Sequence, residues 1–305
     1  MLDIKKSIAT GWGKGQLYPI LKELQQFSMG LAGIQGEIYF VDKNNGYDGN
    51  DGKSWKKSFK TLAVAFAASH ANIAAGSWGW DSRNTIFIRG HFTEVLTTLP
   101  QKTDIIGVGT VDDVSMARIT GTHIIPTPGT AYIGTHFYNI QFADDGASSN
   151  WTITNQSGTE FHNCIFKRTA SGTYGITEDG CARLKFVNCQ FLPDSQGGVF
   201  TTAAIKLSNV TETTVQIINC IIYGAIGIDC DATNAVNCLV KNCFIKATTL
   251  CIDDESDDLV IVGNRMVSAA NQGTIGLVLD YNAFLAVDNI LTGSGGTIHC
   301  PAETA

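Results

Sequence analysis

The segment Phe186-Val187-Asn188-Cys189-Gln190-Phe191 recurs along the chain in related copies. The central asparagines of the copies follow one another at steps of 24, 25, 31, 23, 22 and 25 residues: Asn139, Asn163, Asn188, Asn219, Asn242, Asn264 and Asn289. Within each copy apolar residues alternate around the asparagine, as they do in a β-strand. A repeat of this length is too short to bury a core alone, so it is typical of a solenoid.

A second set of short apolar segments precedes the asparagine copies and ends in acidic or polar corners: Gly175-Ile176-Thr177-Glu178, Ala204-Ile205-Lys206-Leu207, Gly227-Ile228-Asp229-Cys230, Leu250-Cys251-Ile252-Asp253 and Leu277-Val278-Leu279-Asp280. Two strand columns in step predict an all-β fold, a single-stranded right-handed parallel β-helix of about eight coils. The asparagines are interpreted as a ladder whose side-chain amides bond to one another.

The composition of the chain argues against a nucleic-acid-binding protein and against a membrane protein. The net charge of −7 argues against nucleic-acid binding, and no run of 18 apolar residues predicts a membrane span. No apolar signal segment follows the N-terminus, so we expect no export signal. The nine cysteines lack zinc spacing, and four of them follow the repeat asparagines. They are expected to be free, buried thiols of a chain that folds in a reducing cytosol. No metal and no cofactor are expected.

The domain organisation is predicted as a helical arm at 1–36, a β-helix at 37–300 with a capping helix at about 61–74, and a tail at 301–305. The arm carries an apolar stripe at helical spacing: Leu17, Ile20, Leu21, Leu24 and Phe27. Two interpretations stay open, an end plug of the solenoid or an arm that docks on a partner or on sister subunits. Trp78 and Trp80, in a glycine-rich loop, are further candidates for a subunit contact, with sugar stacking as the alternative.

A family resemblance rests on three stretches: Ile38-Tyr39-Phe40-Val41-Asp42 with its Asn/Gly/Asp-rich loop, Phe59-Lys60-Thr61-Leu62, and Thr85-Ile86-Phe87-Ile88-Arg89. They resemble the first coil of pectate-lyase-like β-helix proteins, many of which are tailspikes, decoration proteins and fibres of bacteriophages. The resemblance implies a structural virion protein made in the host cytoplasm. We expect a homotrimeric capsid decoration or cement protein whose partners are the major capsid protein, or another virion protein, and its own copies.

The alternative is a tailspike or fibre that binds or cleaves host surface polysaccharide. Its catalytic candidates are Asp229, Asp231, Asp253 and Asp254, because a step of one coil could bring their carboxylates together as the acid and base of a glycosidase. A bacterial surface or carbohydrate-active protein is a third possibility. No complete catalytic motif is present, so we expect no enzymatic activity, or else a polysaccharide hydrolase or lyase. The acidic loop at 42–52 is interpreted as a turn rather than a calcium site.

Overall fold

The computed structural model describes residues 36–75, 82–109, 116–127, 134–144, 146, 148–168, 170–193, 199–208, 214–231, 237–254, 259–268, 277–278, 285–287 and 290–292. These residues form 24 strands and one α-helix, and the paired strands run parallel. The predicted N-terminal arm, apart from Gly36, and the tail at 301–305 lie outside the described residues.

The strands stack in three columns, so the predicted right-handed parallel β-helix is confirmed. The first column contains β1 (Ile38–Asp42), β2 (Asn84–Arg89), β4 (Thr103–Gly107), β7 (His136–Tyr138), β10 (Glu160–His162), β13 (Lys185–Val187), β16 (Thr214–Ile218), β18 (Asn237–Lys241), β20 (Leu259–Val262) and β23 (Leu285–Val287). Its ten strands exceed the eight coils expected, because the segment before the first repeat asparagine already supplies three of them.

The second column contains β3 (His91–Phe92), β5 (Ala117–Thr120), β8 (Ile140–Asp144), β11 (Ile165–Arg168), β14 (Gln190–Leu192), β21 (Arg265–Ser268) and β24 (Ile290–Thr292). The third contains β6 (His123–Ile125), β9 (Trp151–Thr154), β12 (Gly172–Asp179), β15 (Phe200–Ser208) and β22 (Leu277–Val278). Two long strands, β17 (Ile221–Asp231) and β19 (Phe244–Asp254), pass through both columns and join them into one sheet.

The interior is a stack of like side chains, because equivalent positions of successive coils face one another. Phe137, Phe161 and Phe186 stack with ring centroids 5.1 and 5.3 Å apart. In the second column Phe166 and Phe191 stack at 4.5 Å with nearly parallel rings. Offset stacking of this kind adds to the free energy gained by burying the rings.

The repeat asparagines form corners rather than the amide ladder that we predicted. Asn139, Asn163, Asn188, Asn219 and Asn242 adopt left-handed backbone conformations with φ between 52° and 55°. The last three are exposed, and no hydrogen bond joins the side chains of these five residues. Asparagine tolerates this conformation better than other residues with a β-carbon. The repeat therefore marks a sharp turn between the first and second columns.

The sixth copy of the repeat shows that the corner requires a left-handed backbone conformation rather than an asparagine side chain. Ile261 pairs with Val240, so the corner position is Gly263 with φ of 66°, and Asn264 lies one residue beyond it. The buried Asn264 side chain donates to the Val240 carbonyl at 2.9 Å and accepts from the Cys243 N–H at 2.7 Å. The alignment of Asn264 with the other asparagines was thus wrong by one residue.

The cysteines form a column immediately inside the corner. Their Sγ atoms approach carbonyl oxygens of the preceding coil, from Cys164 to Phe137 at 3.6 Å and from Cys189 to Phe161 at 3.2 Å. Cys220 and Cys243 make the same contact one and two coils further on. All eight cysteines in the described residues are free and buried, as predicted, and Cys300 lies outside that part.

The predicted capping helix is present as α1 (Leu62–Ala75), which packs against β1 and β2. Its buried face includes Leu62, Ala65 and Phe66, which belong to the main hydrophobic core. Glu94 Oε2 accepts from the Leu62 N–H at 2.9 Å, and Asp48 accepts from the two residues before it, so carboxylates satisfy the helix start. The acidic loop before α1 thus uses its carboxylates in turns, as the turn interpretation requires.

Candidate functional site

The carboxylates proposed from the sequence are only partly brought together. Asp229 pairs in register with Asp253 on adjacent coils, so that pairing is confirmed. Asp254 instead pairs with Cys230, and Asp231 pairs with Ser208. The register therefore brings together one pair of the four acids, and it places Asp231 and Asp254 opposite other residues. The side chains of Asp231 and Asp254 lie outside the described part of the chain.

Asp229 already has a cationic neighbour. Lys206 Nζ lies 3.7 Å from Asp229 Oδ2, and both side chains are largely covered. The same ammonium lies 5.6 Å from the ring centroid of Tyr174. This arrangement is an ion pair on the outer side of the third column, and it does not resemble a proton donor facing a base.

The other candidate contact residues stay predictions. Leu17, Ile20, Leu21, Leu24 and Phe27 of the apolar stripe lie outside the described residues, as do Trp78 and Trp80.

A group of ionisable side chains in mutual contact lies on the outer face of the first column, at positions that the sequence analysis did not single out. Asp104, His136, Glu160 and Lys185 occupy one outward register position of successive strands β4, β7, β10 and β13. Tyr138 and His162 occupy the next outward position of β7 and β10. We call Arg83, Asp104, His136, Tyr138, Glu160 and His162 the first-column cluster.

At one end of the cluster Asp104 is shared between a guanidinium and an imidazole. Arg83 Nε lies 2.7 Å from Asp104 Oδ1, and His136 Nδ1 lies 3.2 Å from the same oxygen. A second Arg83 nitrogen donates to the Gly134 carbonyl at 2.9 Å, which fixes the guanidinium. A carboxylate held in this way orients the imidazole of His136 toward the next coil.

At the other end Glu160 connects the two imidazoles. His162 Nε2 lies 2.7 Å from Glu160 Oε2, and His136 Nε2 lies 3.8 Å from Glu160 Oε1. The hydrogen bond from His162 holds the pKa of Glu160 below its ordinary value despite partial burial. Glu160 is therefore an anion at neutral pH and can polarise both rings.

Tyr138 covers one side of this array. Its ring stacks on His162 with centroids 4.8 Å apart, and its hydroxyl lies 3.4 Å from His136 Nδ1. Burial raises the pKa of Tyr138 to about 12, and Asp104 adds to the effect, so the phenol keeps its proton. It is available as a hydrogen-bond donor at neutral pH.

A signal for this cluster does exist in the sequence. His136 and Tyr138 flank Phe137, Glu160 and His162 flank Phe161, and the two rings are neighbours in the interior stack. Alternation then places both pairs of flanking residues on the outer face. His136 and His162 are 26 residues apart along the chain, so a search for closely spaced histidines does not show that they are neighbours one coil apart.

The arrangement supplies hydrogen-bond donors and acceptors at the repeat distance of stacked strands, about 4.8 Å. The side chains of His136, Glu160 and His162 are 19–26% exposed, so their edges remain accessible from outside. No group of three or more His, Cys, Asp or Glu side chains suited to hold a metal ion is found among the described residues. Within the same residues no helix is long and apolar enough to cross a membrane.

Comparisons with known proteins give structural likeness only. No protein-family model matches the chain, and no curated protein matches its sequence. A pectin methylesterase from Aspergillus niger is similar with a TM-score of 0.44 and 14% identity over 89% of this chain and 93% of that one.

A rhamnogalacturonan lyase has a TM-score of 0.42 and 12% identity over 87% of this chain and 90% of that one. A pectate lyase has a TM-score of 0.41 and 12% identity over 87% and 79%. These values are too low for the role of any residue to be transferred.

Proposed function

We propose that this chain is a structural component of a bacteriophage virion that contacts host surface polysaccharide through the first-column cluster. In this proposal the β-helix is a rigid rod, made in the host cytoplasm and assembled as a homotrimer. The major capsid protein or another virion protein is the proposed attachment partner. The apolar stripe of the N-terminal arm and the pair Trp78 and Trp80 are the proposed contacts to that partner and to sister copies.

The first-column cluster is the observation that supports the contact with polysaccharide. A glycan presents hydroxyl groups, and often carboxylates, at a regular spacing along its length. Arg83, His136, His162 and Tyr138 can donate hydrogen bonds, and Glu160 can accept them, from adjacent coils of one face. A polymer that lies along the rod would therefore meet a polar partner at each coil it crosses.

The proposed role is recognition rather than cleavage. A glycosidase uses one carboxylic acid that keeps its proton and a second that is ionised. Asp104 is in contact with Arg83, Glu160 is held as an anion by His162, and Asp229 is in contact with Lys206. None of these three carboxylates has the apolar surroundings that keep a proton on a catalytic acid.

The test is binding of the purified chain to an array of bacterial capsular and O-antigen polysaccharides, together with immunogold labelling of phage particles. For any glycan that binds, we expect His136→Ala with Glu160→Gln to weaken binding by about tenfold to a hundredfold. Asp229→Asn, on the third column, is the matched control and should leave affinity unchanged.

Two results would contradict the proposal. Release of new reducing ends that is lost in Asp229→Asn would indicate an enzyme with its site on the third column. Binding that is insensitive to the double variant would remove the first-column cluster from recognition, whatever the particle labelling shows.

A further inference from the structure

A groove lies between α1 and the loops at the start of the solenoid. It has a volume of about 410 Å³, and its lining is mainly apolar. One wall is the exposed side of α1 with Ala63 and Ala67, and the other is formed by Thr98, Leu99 and Ile125. The volume lies within the range of about 300–1,000 Å³ that is usual for ligand sites.

The floor of the groove contains an unsatisfied polar atom. Gln156 lines the groove and is 1% exposed, and its Nε2 donates to the Pro126 carbonyl at 2.7 Å. Its Oε1 is buried with no hydrogen-bond partner in the described structure. A buried acceptor without a donor destabilises a protein, so the groove suits an occupant that brings a hydrogen-bond donor together with apolar groups.

Exposed apolar side chains extend the surface beside the groove. Val95 is 59% exposed and Ile124 is 53% exposed, although both belong to segments that contribute to the groove walls. Val95 lies two positions before the lining residue Thr97, and Ile124 directly precedes the lining residue Ile125. Apolar regions on a protein surface usually mark a contact with another segment or another molecule.

The described chain begins next to this groove. The Glu37 N–H donates to Asn84 Oδ1 at 2.7 Å, and Asn84 Nδ2 donates to the Ser69 carbonyl of α1 at 3.0 Å. Ser69 precedes the groove residue His70. The chain that leads to the first 35 residues therefore leaves the body beside α1. The nine residues from 28 to 36 could span up to about 30 Å, so the stripe at 17–27 lies within range of the groove.

We infer that the groove is the docking site for the N-terminal arm of the same chain. Leu21 and Leu24 belong to the apolar stripe predicted from the sequence and lie three positions apart, and they are the side chains proposed to enter the groove. A neighbouring polar side chain of the arm supplies the donor for Gln156 Oε1. The inference does not rest on the proposed function. If the stripe also binds a virion partner, it must leave the groove to do so.

The test uses the full chain with a photoreactive benzoylphenylalanine in place of Leu24. After irradiation at low protein concentration, we expect adducts within the same chain at 63–70, 97–101 or 125–127. Ala67→Arg, which places a bulky cation in the groove from an exposed position, should lower the yield of these adducts about tenfold. Ala74→Arg lies at the other end of α1 and outside the groove lining, and it should leave the yield unchanged.

Thr98→Arg repeats the test from the opposite wall in case Ala67→Arg disturbs α1, which circular dichroism would reveal. Adducts between two chains would mean that a second copy occupies the groove. Adducts elsewhere, or a yield that neither arginine variant lowers, would show that the arm does not dock there. Each of these outcomes overturns the inference.

Discussion

Arg168 and Arg83 both pair with an aspartate of a neighbouring coil, but Arg168 has none of its side chain exposed whereas Arg83 has 18% exposed. Arg168 Nη1 lies 3.5 Å from Asp144 Oδ2 and 2.7 Å from the Ser148 carbonyl, and other nitrogens donate to the carbonyls of Gly146 and Ala170. Asp104, beside Arg83, contacts an imidazole instead. The buried pair fixes backbone corners, whereas the outer cluster keeps ionisable groups accessible.

The residues around Arg168 and Asp144 are those that a buried ion pair requires. A β-carbon on Gly172 would lie 1.8 Å from an Arg168 nitrogen, so glycine is needed to leave room for the guanidinium. Asp144 is further satisfied by the Thr122 hydroxyl at 3.1 Å and by the Gly146 N–H at 2.9 Å. A charge that has lost its water requires complete replacement of its hydrogen bonds by the protein. In the first-column cluster, water can supply some of the hydrogen bonds to the partly exposed side chains.

The largest expected effect comes from removing the buried cation. Arg168→Leu leaves Asp144 as an uncompensated buried charge and several carbonyls without a donor, so we expect it to lower the free energy of unfolding by about 3–5 kcal/mol. The matched change Arg83→Leu should cost less, about 1–2 kcal/mol, because Asp104 keeps His136 Nδ1 as a partner at 3.2 Å and the lost guanidinium is partly exposed. Urea unfolding followed by circular dichroism measures both. Similar losses in the two variants would contradict the distinction.

The second prediction concerns a buried acid with no cation beside it. Burial raises the pKa of Glu178 from 4.5 to about 8, and its Oε2 has no hydrogen-bond partner. A raised carboxyl pKa contributes stability that is complete below the unfolded value and is lost as pH rises through the folded value. Burial also lowers the pKa of His123 from 6.5 to about 3, which adds an opposite slope between those two values. Between pH 4.5 and 6.5 the Glu178 and His123 contributions to the pH dependence of the unfolding free energy cancel.

The informative range is therefore pH 6.5 to 8. Over it the wild-type chain should lose about 2 kcal/mol of unfolding free energy, at about 1.36 kcal/mol for each pH unit. Glu178→Gln should remove this slope without changing the response of His123. Melting temperatures across the range measure it. A slope that persists in the variant would assign the titration to another group.

A smaller effect is expected at the corner between the first and second columns. Asn188→Val should destabilise by about 1–2 kcal/mol, because a β-branched residue is strained at a φ of 53°. Asn188→Gly should stay within about 1 kcal/mol of wild type, as Gly263 occupies the same position in a later coil. If thermal unfolding showed equal losses for both variants, the side-chain amide and not the backbone would be the important property.

The smallest stability effect is expected for the outer cluster. His136→Ala with His162→Ala removes two partly exposed imidazoles that contact Asp104 and Glu160, so the free energy of unfolding should change by about 1 kcal/mol or less. Denaturant unfolding at pH 7 measures it beside the Arg168→Leu variant. A loss as large as that of Arg168→Leu would make the cluster a stabilising network, and recognition would no longer be needed to explain it.

The sequence was sufficient to predict the stacking of coils. The phenylalanines of the first column and the isoleucines of the third column, Ile176, Ile205 and Ile228, lie in register as their spacing indicates. The identification of α1 was correct to within one residue at each end. These features depend on alternation and hydrophobic spacing, which a single sequence displays directly.

The corner and the site were harder to predict. The corner requires a left-handed backbone, which Gly263 satisfies as well as asparagine does, so counting asparagines misplaced Asn264. The first-column cluster unites residues separated by about one coil at outward positions, where polar residues are ordinary. Their neighbourhood appears only when the copies are aligned coil by coil, which places His136 opposite Glu160 as the strand register does.

The column of cysteines has a consequence for how unfolding of this chain can be followed. Burial raises the pKa of Cys189 well above its ordinary value, and thiols react as thiolates, so this sulfur is chemically silent while the coils stay stacked. Alkylating reagents would reach the column only when coils separate. The rate at which Cys164, Cys189, Cys220 and Cys243 are alkylated therefore reports how often each coil opens. Mass spectrometry can measure this rate without an added probe.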